Sequence, residues 1–323
     1  MNSLTFATLR LLADGAFHSG EALAERLGVS RASIWQALQG VEKYGVDLHS
    51  VRGKGYRLQQ PIEWLQPEQV RQAMSADCAQ RIELLLQDSI DSTNASLMRM
   101  AQQARTGTVL AAEWQSAGRG RLGRQWQAAL AGSLLFSLLW RFERGLGRLA
   151  GLSLAVGVAL IRALHEAGVD DAGLKWPNDV IWRGGKLAGI LLEVSGDALG
   201  PAQVVIGVGL NLQLSDALRT QVDQPVAALC PALRGVSRNT LFAGVLRHLL
   251  QVLDAFDADG FAAVREEWLQ YHVLQGREVR LTAPDGSARL GRVAGVAEDG
   301  ALLLMQAGGL LTVHAGEISL RGV

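Results

Sequence analysis

Two cysteines, Cys78 and Cys230, are all that this chain of 323 residues carries. They stand far apart and form no CxxC pair, which excludes a disulfide framework and points to a reducing cytoplasm. Histidine is scarce as well. The six, at 18, 49, 165, 248, 272 and 314, never fall at metal-ligand spacing, so no structural metal is expected. No uncharged apolar run reaches the ~18 residues of a membrane span. Met1 to Arg10 holds no basic stretch followed by a long apolar one, so neither insertion nor secretion is expected. An excess of one charge is missing too: 31 basic residues balance 31 acidic ones, and any nucleic-acid binding has to be local. Lysine occurs only as Lys43, Lys54, Lys175 and Lys186, among arginines that differ from it in hydration and geometry. That bias hints that the lysines which survive are hard to replace.

A chain of this length that is 49% hydrophobic can bury two or three cores. Residues 1–60 read as helix, helix, turn, helix, hairpin. Leu4, Ala7, Leu9, Leu11 and Leu12 suit a first helix that Asp14-Gly15 ends. Ser19 caps a second, which stops at Gly28. The third is expected over 31–44, with Ile34, Leu38 and Val41 buried and Ser30, Arg31, Ser33, Gln36 and Gln39 free to face a groove. Trp35 can read a thymine methyl or be core, and core is the expectation. The stretch 46–58 alternates into a two-stranded wing carrying Arg52, Lys54 and Arg57, placed for phosphates. Seven Lys/Arg against five Asp/Glu give this head a net charge of only +2, so a winged helix that merely packs or dimerises stays open. Pro61 and Pro67 bracket a linker, 61–66.

Polar clusters between strands follow. Arg81 to Gln87 predicts a strand, and Asp91-Ser92-Thr93-Asn94 before a helical run predicts a helix cap or a grip on a polar ring. Thr108 to Gln115 is a strand. Behind it, Gly118, Gly120 and Gly123 satisfy GxGxxG, yet 132–140 reads as a buried strand where a dinucleotide fingerprint needs a helix. Arg119, Arg121 and Arg124 among those glycines suggest instead a loop that closes over an anion. A helix over 151–167 precedes Lys175-Trp176-Pro177-Asn178-Asp179, and a turn at Gly184-Gly185 leads into Lys186-Leu187-Ala188-Gly189-Ile190-Leu191. A third strand, 203–207, runs into Gly209-Leu210-Asn211. From 275 on, short strands separated by turns at 284–286, 298–300 and 308–309 predict a small antiparallel barrel.

Taken in order, these motifs resemble biotin protein ligases, in the bacterial form that doubles as biotin operon repressor, over essentially the whole chain. The resemblance implies an α+β multidomain protein. A winged helix-turn-helix (1–60) would precede a central mixed-sheet ligase domain of the class II synthetase-like kind (67–272) and an SH3-like barrel (273–323). It implies that biotin and MgATP form biotinyl-5′-adenylate and that biotin passes to a lysine of biotin carboxyl carrier protein. Lys186, Arg119 and Arg121 would offset charge at the phosphate, with the loop of Gly118 and Gly120 ordered over the adenylate. Ser92, Thr93 and Gln115 would bind the ureido ring, with Asn94 and Gly189 beside it and Trp126 over the aliphatic tail. Arg124 and Lys175 would face the adenylate, Asn211 the adenylate or its metal ion, Asn178 would brace the site, and Asp179 would steer the acceptor amine. Glu317 and Arg321 match a C-terminal motif. Family behaviour further implies an adenylate-bound homodimer on operator DNA. Open alternatives are a ligase whose head no longer represses, a ligand-sensing transcription factor, and a lipoate ligase-like enzyme.

Overall fold

The computed structural model describes residues 1–143, 145–197, 200–214, 224–229, 233, 235–282, 287–314 and 319–322. At the N-terminus, α1 (Ser3–Leu11), α2 (Gly20–Leu27) and α3 (Arg31–Leu38) are capped by Asn2, Ser19 and Ser30, each side chain accepting a backbone N–H of the first turn. Gly28 ends α2 in the left-handed conformation, as its sequence position predicts. Two expectations fail here. The third helix stops at Leu38, because Gln39 turns extended and Gly40 takes φ +75°, and Val41–Tyr44 continues as a short 3₁₀ turn. Trp35 is not core: it is 56% exposed, since Ile34, Ala37 and Leu38 use the inward face. β1 (Leu48–Val51) and β2 (Gly55–Leu58) pair antiparallel as the wing.

The centre comprises α4 (Pro67–Gln72), α5 (Ala76–Arg81), β3 (Glu83–Ile90), α6 (Thr93–Met100), β4 (Thr108–Gln115), β5 (Ser133–Phe142), α7 (Leu152–Glu166), β6 (Gly173–Lys175), β7 (Asp179–Trp182), β8 (Gly185–Gly196), β9 (Ala202–Asn211), α8 (Arg238–Asp259) and α9 (Arg265–Tyr271). The strands form one mixed sheet in the order β3-β4-β5-β9-β8-β7-β6, parallel only between β3 and β4. Alternation assigns its two faces. Val204, Ile206 and Val208 of β9 join Phe136 and Leu138 of β5 under the long helices α7 and α8. Val205 of β9 and Leu139 of β5 pack on the opposite face under Leu97 of α6. That opposite face continues as Gly207 and Gly209, so α6 covers only part of it and the rest lies as an open floor. The stretch Leu146–Glu166 is long and apolar enough to cross a membrane, but most of α7 is core.

At the C-terminus, β10 (Glu278–Thr282), β11 (Ala288–Val296), β12 (Leu302–Gln306), β13 (Gly309–Val313) and β14 (Ser319–Gly322) form a five-stranded antiparallel sheet ordered β13-β12-β11-β10-β14. Trp176, 1% exposed, ties it to the centre by donating its indole N–H to the carbonyl of Gly300 at 3.0 Å. The head is held as firmly. Arg10 lies over the Trp64 ring and pairs with Asp88 of β3, and Leu130 donates its N–H to the Tyr44 carbonyl. The predicted turn at 284–286 and Glu317 lie outside the described residues, and Arg321 is described by its backbone alone.

Candidate active site

The floor is built by cross-strand register. Leu135, Gly209 and Gly189 form one row across β5, β9 and β8, and Ser137, Gly207 and Leu191 form the next. Glycine is required in both rows. A Cβ on Gly207 would lie 2.0 Å from Asn94 Oδ1, and one on Gly209 would lie 2.4 Å from the Trp126 ring. Lys186 reaches this floor through a bulge. Val180 pairs with Ala188 but Ile181 pairs with Lys186, so Leu187 is an extra residue in β8. The bulge turns Lys186 onto the face of Gly189 instead of the core face of Ala188 and Ile190. There its ammonium stands 2.7 Å from Asp179 Oδ1 and 5.6 Å from the Trp126 ring centroid. The ion pair is close but poorly aligned for a hydrogen bond, and both side chains are 17% exposed.

The glycine-rich stretch is a small hairpin, which settles the ambiguity of its GxGxxG spacing. Gly120 donates to the Arg124 carbonyl and Trp126 to the Gly118 carbonyl, and the tip turns at Leu122 and Gly123 with φ +58° and +69°. A Cβ on Gly118 would lie 2.4 Å from the Trp126 carbonyl oxygen. The hairpin spreads its arginines apart. Arg121 donates to Asn178 Oδ1 at 3.1 Å, and Asn178 donates in turn to the Ile190 carbonyl. Burial holds the Arg121 guanidinium below its ordinary value, with Asp179 opposing and Arg124 adding to the effect, so this corner favours an arriving anion. Arg124 is exposed. Arg119 points elsewhere, onto Glu193 of β8.

At the other end of the floor, Ser92, Thr93 and Asn94 are all buried at the start of α6, where Ser92 caps the helix. Helix cap and polar cluster thus coincide. Gln115 Oε1 accepts from the N–H and the hydroxyl of Thr93, and Ser137 donates to Asn94 Oδ1. Asn211 was expected to face the adenylate. Its amide donates to the carbonyls of Lys186 and Ala227, so it also braces the backbone that presents the lysine. Of the residues expected at the ligand site, all but Gly118 line one cavity between the sheet and the hairpin, which Leu320 also borders.

Sequence reasoning missed three supporting groups: Glu193, Ser137, and the buried pair of Glu113 with Arg238 at the start of α8. Strand parity would have found the first, since Glu193 shares a face with Gly189. In the head, the Ser30 side chain caps α3 by accepting the Ser33 N–H and lies 2.9 Å from the Ser33 hydroxyl, while Arg31, Trp35 and Gln36 are exposed along the helix and Arg52 and Lys54 sit exposed at the wing's turn.

Residues 86–211 match the model of the biotin/lipoate A/B protein ligase family, 5–57 an HTH domain, and 275–321 the biotin protein ligase C-terminal domain. The chain is 37% identical to the bifunctional ligase/repressor BirA of Escherichia coli over 320 residues, 99% of this chain and 98% of that one. It is 34% identical to a biotin–[acetyl-CoA-carboxylase] ligase of Mycobacterium tuberculosis over 70% of this chain and 85% of that one. The Aquifex aeolicus biotin protein ligase, solved with biotin and ATP, superposes with a TM-score of 0.64 at 28% identity, covering 75% of this chain and 99% of that one. With a relative of that identity matched end to end, the chain belongs to the biotin protein ligase family, in its bifunctional ligase/repressor form.

Proposed function

We propose that this chain activates biotin with MgATP to biotinyl-5′-adenylate, transfers the biotin to a lysine of biotin carboxyl carrier protein, and represses transcription through its head. The observation that carries the reading is a cation corner, Lys186 and Arg121, at one end of a glycine floor whose other end is a buried amide and hydroxyl cluster. A ligand with a polar ring at one end and a carboxylate at the other matches that layout, and the names of the relatives support biotin over lipoate.

In the first step, a carboxylate oxygen of biotin attacks the α-phosphorus of ATP, the α–β bridging bond breaks, and pyrophosphate leaves. Both reactants are anionic. Lys186 and Arg121 offset the repulsion and the charge that gathers in the pentavalent transition state. Ser92, Thr93 and Gln115 hold the ureido ring, Asn94 backs them, and Trp126 roofs the aliphatic chain while the hairpin excludes water. Lys175 and Arg124 serve the nucleotide. Magnesium enters with ATP, because it keeps several waters and takes substrate phosphates in preference to a protein cage.

In the second step, the acceptor amine attacks the acyl carbon and AMP leaves. A free lysine ammonium has a pKa of ~10.4, so a base must help. Asp179 is freed from Lys186 when that lysine turns to phosphate, and it then steers the amine and accepts its proton. We place the reaction in the cytoplasm, and the adenylate-bound chain pairs as a two-fold homodimer on a palindromic operator, with Arg31 and Gln36 toward bases and Arg52 and Lys54 on phosphates. Biotin-dependent exchange of pyrophosphate into ATP tests the reading. Exchange that excess lipoate does not inhibit is expected, and exchange driven by lipoate alone would overturn it.

A further inference from the structure

We infer that Glu193 is a positioning residue that latches the hairpin shut, and that Arg119 belongs to this latch and not to the reacting centre. The deduction rests on the ligase reading. Glu193 Oε2 accepts from the Arg119 guanidinium and, at 2.9 Å, from Asn94 Nδ2. One carboxylate oxygen therefore joins the hairpin to the floor. From Asn94 the connection continues: its Oδ1 accepts from Ser137, whose oxygen lies 2.8 Å from Thr93 Oγ1, and Thr93 reaches Gln115 Oε1 through its backbone N–H at 2.7 Å. The relay thus runs from the hairpin's first arm to the ring-binding end, beneath Gly207, where only a glycine leaves room for Asn94.

The two arginines of the hairpin divide the work. Arg121 is drawn inward to Asn178 beside Asp179 and Lys186, whereas Arg119 is 44% exposed with its charge already taken by a carboxylate that is 27% exposed. A guanidinium so paired adds little net positive charge at a phosphate. Its contact instead closes the loop, and because Glu193 holds both Arg119 and Asn94 while Asn94 is fixed in turn by Ser137, a filled ring site that orders Asn94 also orders the carboxylate that closes the hairpin.

Release of preformed biotinyl-5′-adenylate from the full chain, followed by stopped flow, tests the latch with wild type, Glu193→Gln, Arg119→Gln and the double variant. Glu193→Gln keeps an oxygen for Asn94 and removes only the charge, and Arg119 lies on a surface hairpin, so both variants fold, which unchanged melting temperatures verify. Each single variant is expected to release the adenylate about fivefold faster or more, and the double variant no faster than either single. Added salt should speed release from wild type and leave Glu193→Gln unmoved. Wild-type release rates in both single variants, or fully additive effects in the double, overturn the latch. A wild type that forms no adenylate from biotin and MgATP overturns the ligase reading beneath it, a result distinct from either.

Discussion

Replacing Arg238 by Met tests how the linker is fastened to the catalytic core. Arg238 is 4% exposed and its partner Glu113 is fully buried, 2.5 Å away. The guanidinium also donates to the carbonyls of Glu63 at 3.1 Å and Ser133 at 2.9 Å, while Glu113 Oε1 accepts the N–H of Leu65 at 2.8 Å. Arg238→Met leaves a buried carboxylate without its cation and two carbonyls without donors. Losing one partner of such a pair costs about 3–5 kcal/mol. For a domain of this size that is a fall of roughly 6–20 °C in Tm. Adding Glu113→Leu removes the orphaned charge but not the orphaned carbonyls, so the double variant should recover part of the loss. Thermal unfolding followed by circular dichroism measures all three proteins. If Arg238→Met melts within about 2 °C of wild type, the pair does not fasten the linker and the reasoning is wrong.

Burial pushes the His272 imidazole from its ordinary 6.5 down to about 4, with Gln275 opposing the shift only weakly. Above pH 6.5 both folded and unfolded states are neutral there. As the pH falls toward 4, only the unfolded chain takes up the proton, so about 3 kcal/mol of stability is lost across that window. Urea midpoints at pH 7.5 and pH 5 should diverge in wild type and converge in His272→Leu. Gly209→Ala, whose Cβ would meet the Trp126 ring, is expected to raise the KM for biotin about tenfold while leaving the fold intact, and steady-state kinetics decide it. Trp35→Ala should leave ligase activity and melting unchanged yet weaken operator binding by about 1–3 kcal/mol in a gel-shift titration. Equal DNA affinity would show that exposed Trp35 takes no part in operator contact.

Local signals carried most of the fold. The caps at Ser19 and Ser30, the stop at Gly28 and the strand over Thr108–Gln115 were legible because each depends on a few adjacent residues. The end of α3 was not, since its buried stripe continues in phase through Val41 while Gly40 breaks the backbone. Trp35 lies outside the core because, one residue on from Ile34, it falls off the buried stripe of Ile34, Ala37 and Leu38. The site's motifs stood in the sequence, but their relation did not. The bulge that aims Lys186 shows only in the pairing of β7 with β8, and the different destinations of Arg119 and Arg121 depend on how the hairpin folds over distant strands. Asn211 shows the same limit: its motif marks it as a site residue, but only the fold reveals that its amide also braces the backbone of Lys186.

Transfer of labelled biotin to a carrier domain, with MgATP, by wild type and Lys186→Ala, tests the central claim most directly. Wild type should label the carrier's lysine, and the variant should be slower by a hundredfold or more, at about 1.4 kcal/mol per factor of ten. Folded wild type that transfers no label, or a variant that transfers at the wild-type rate, would contradict the account.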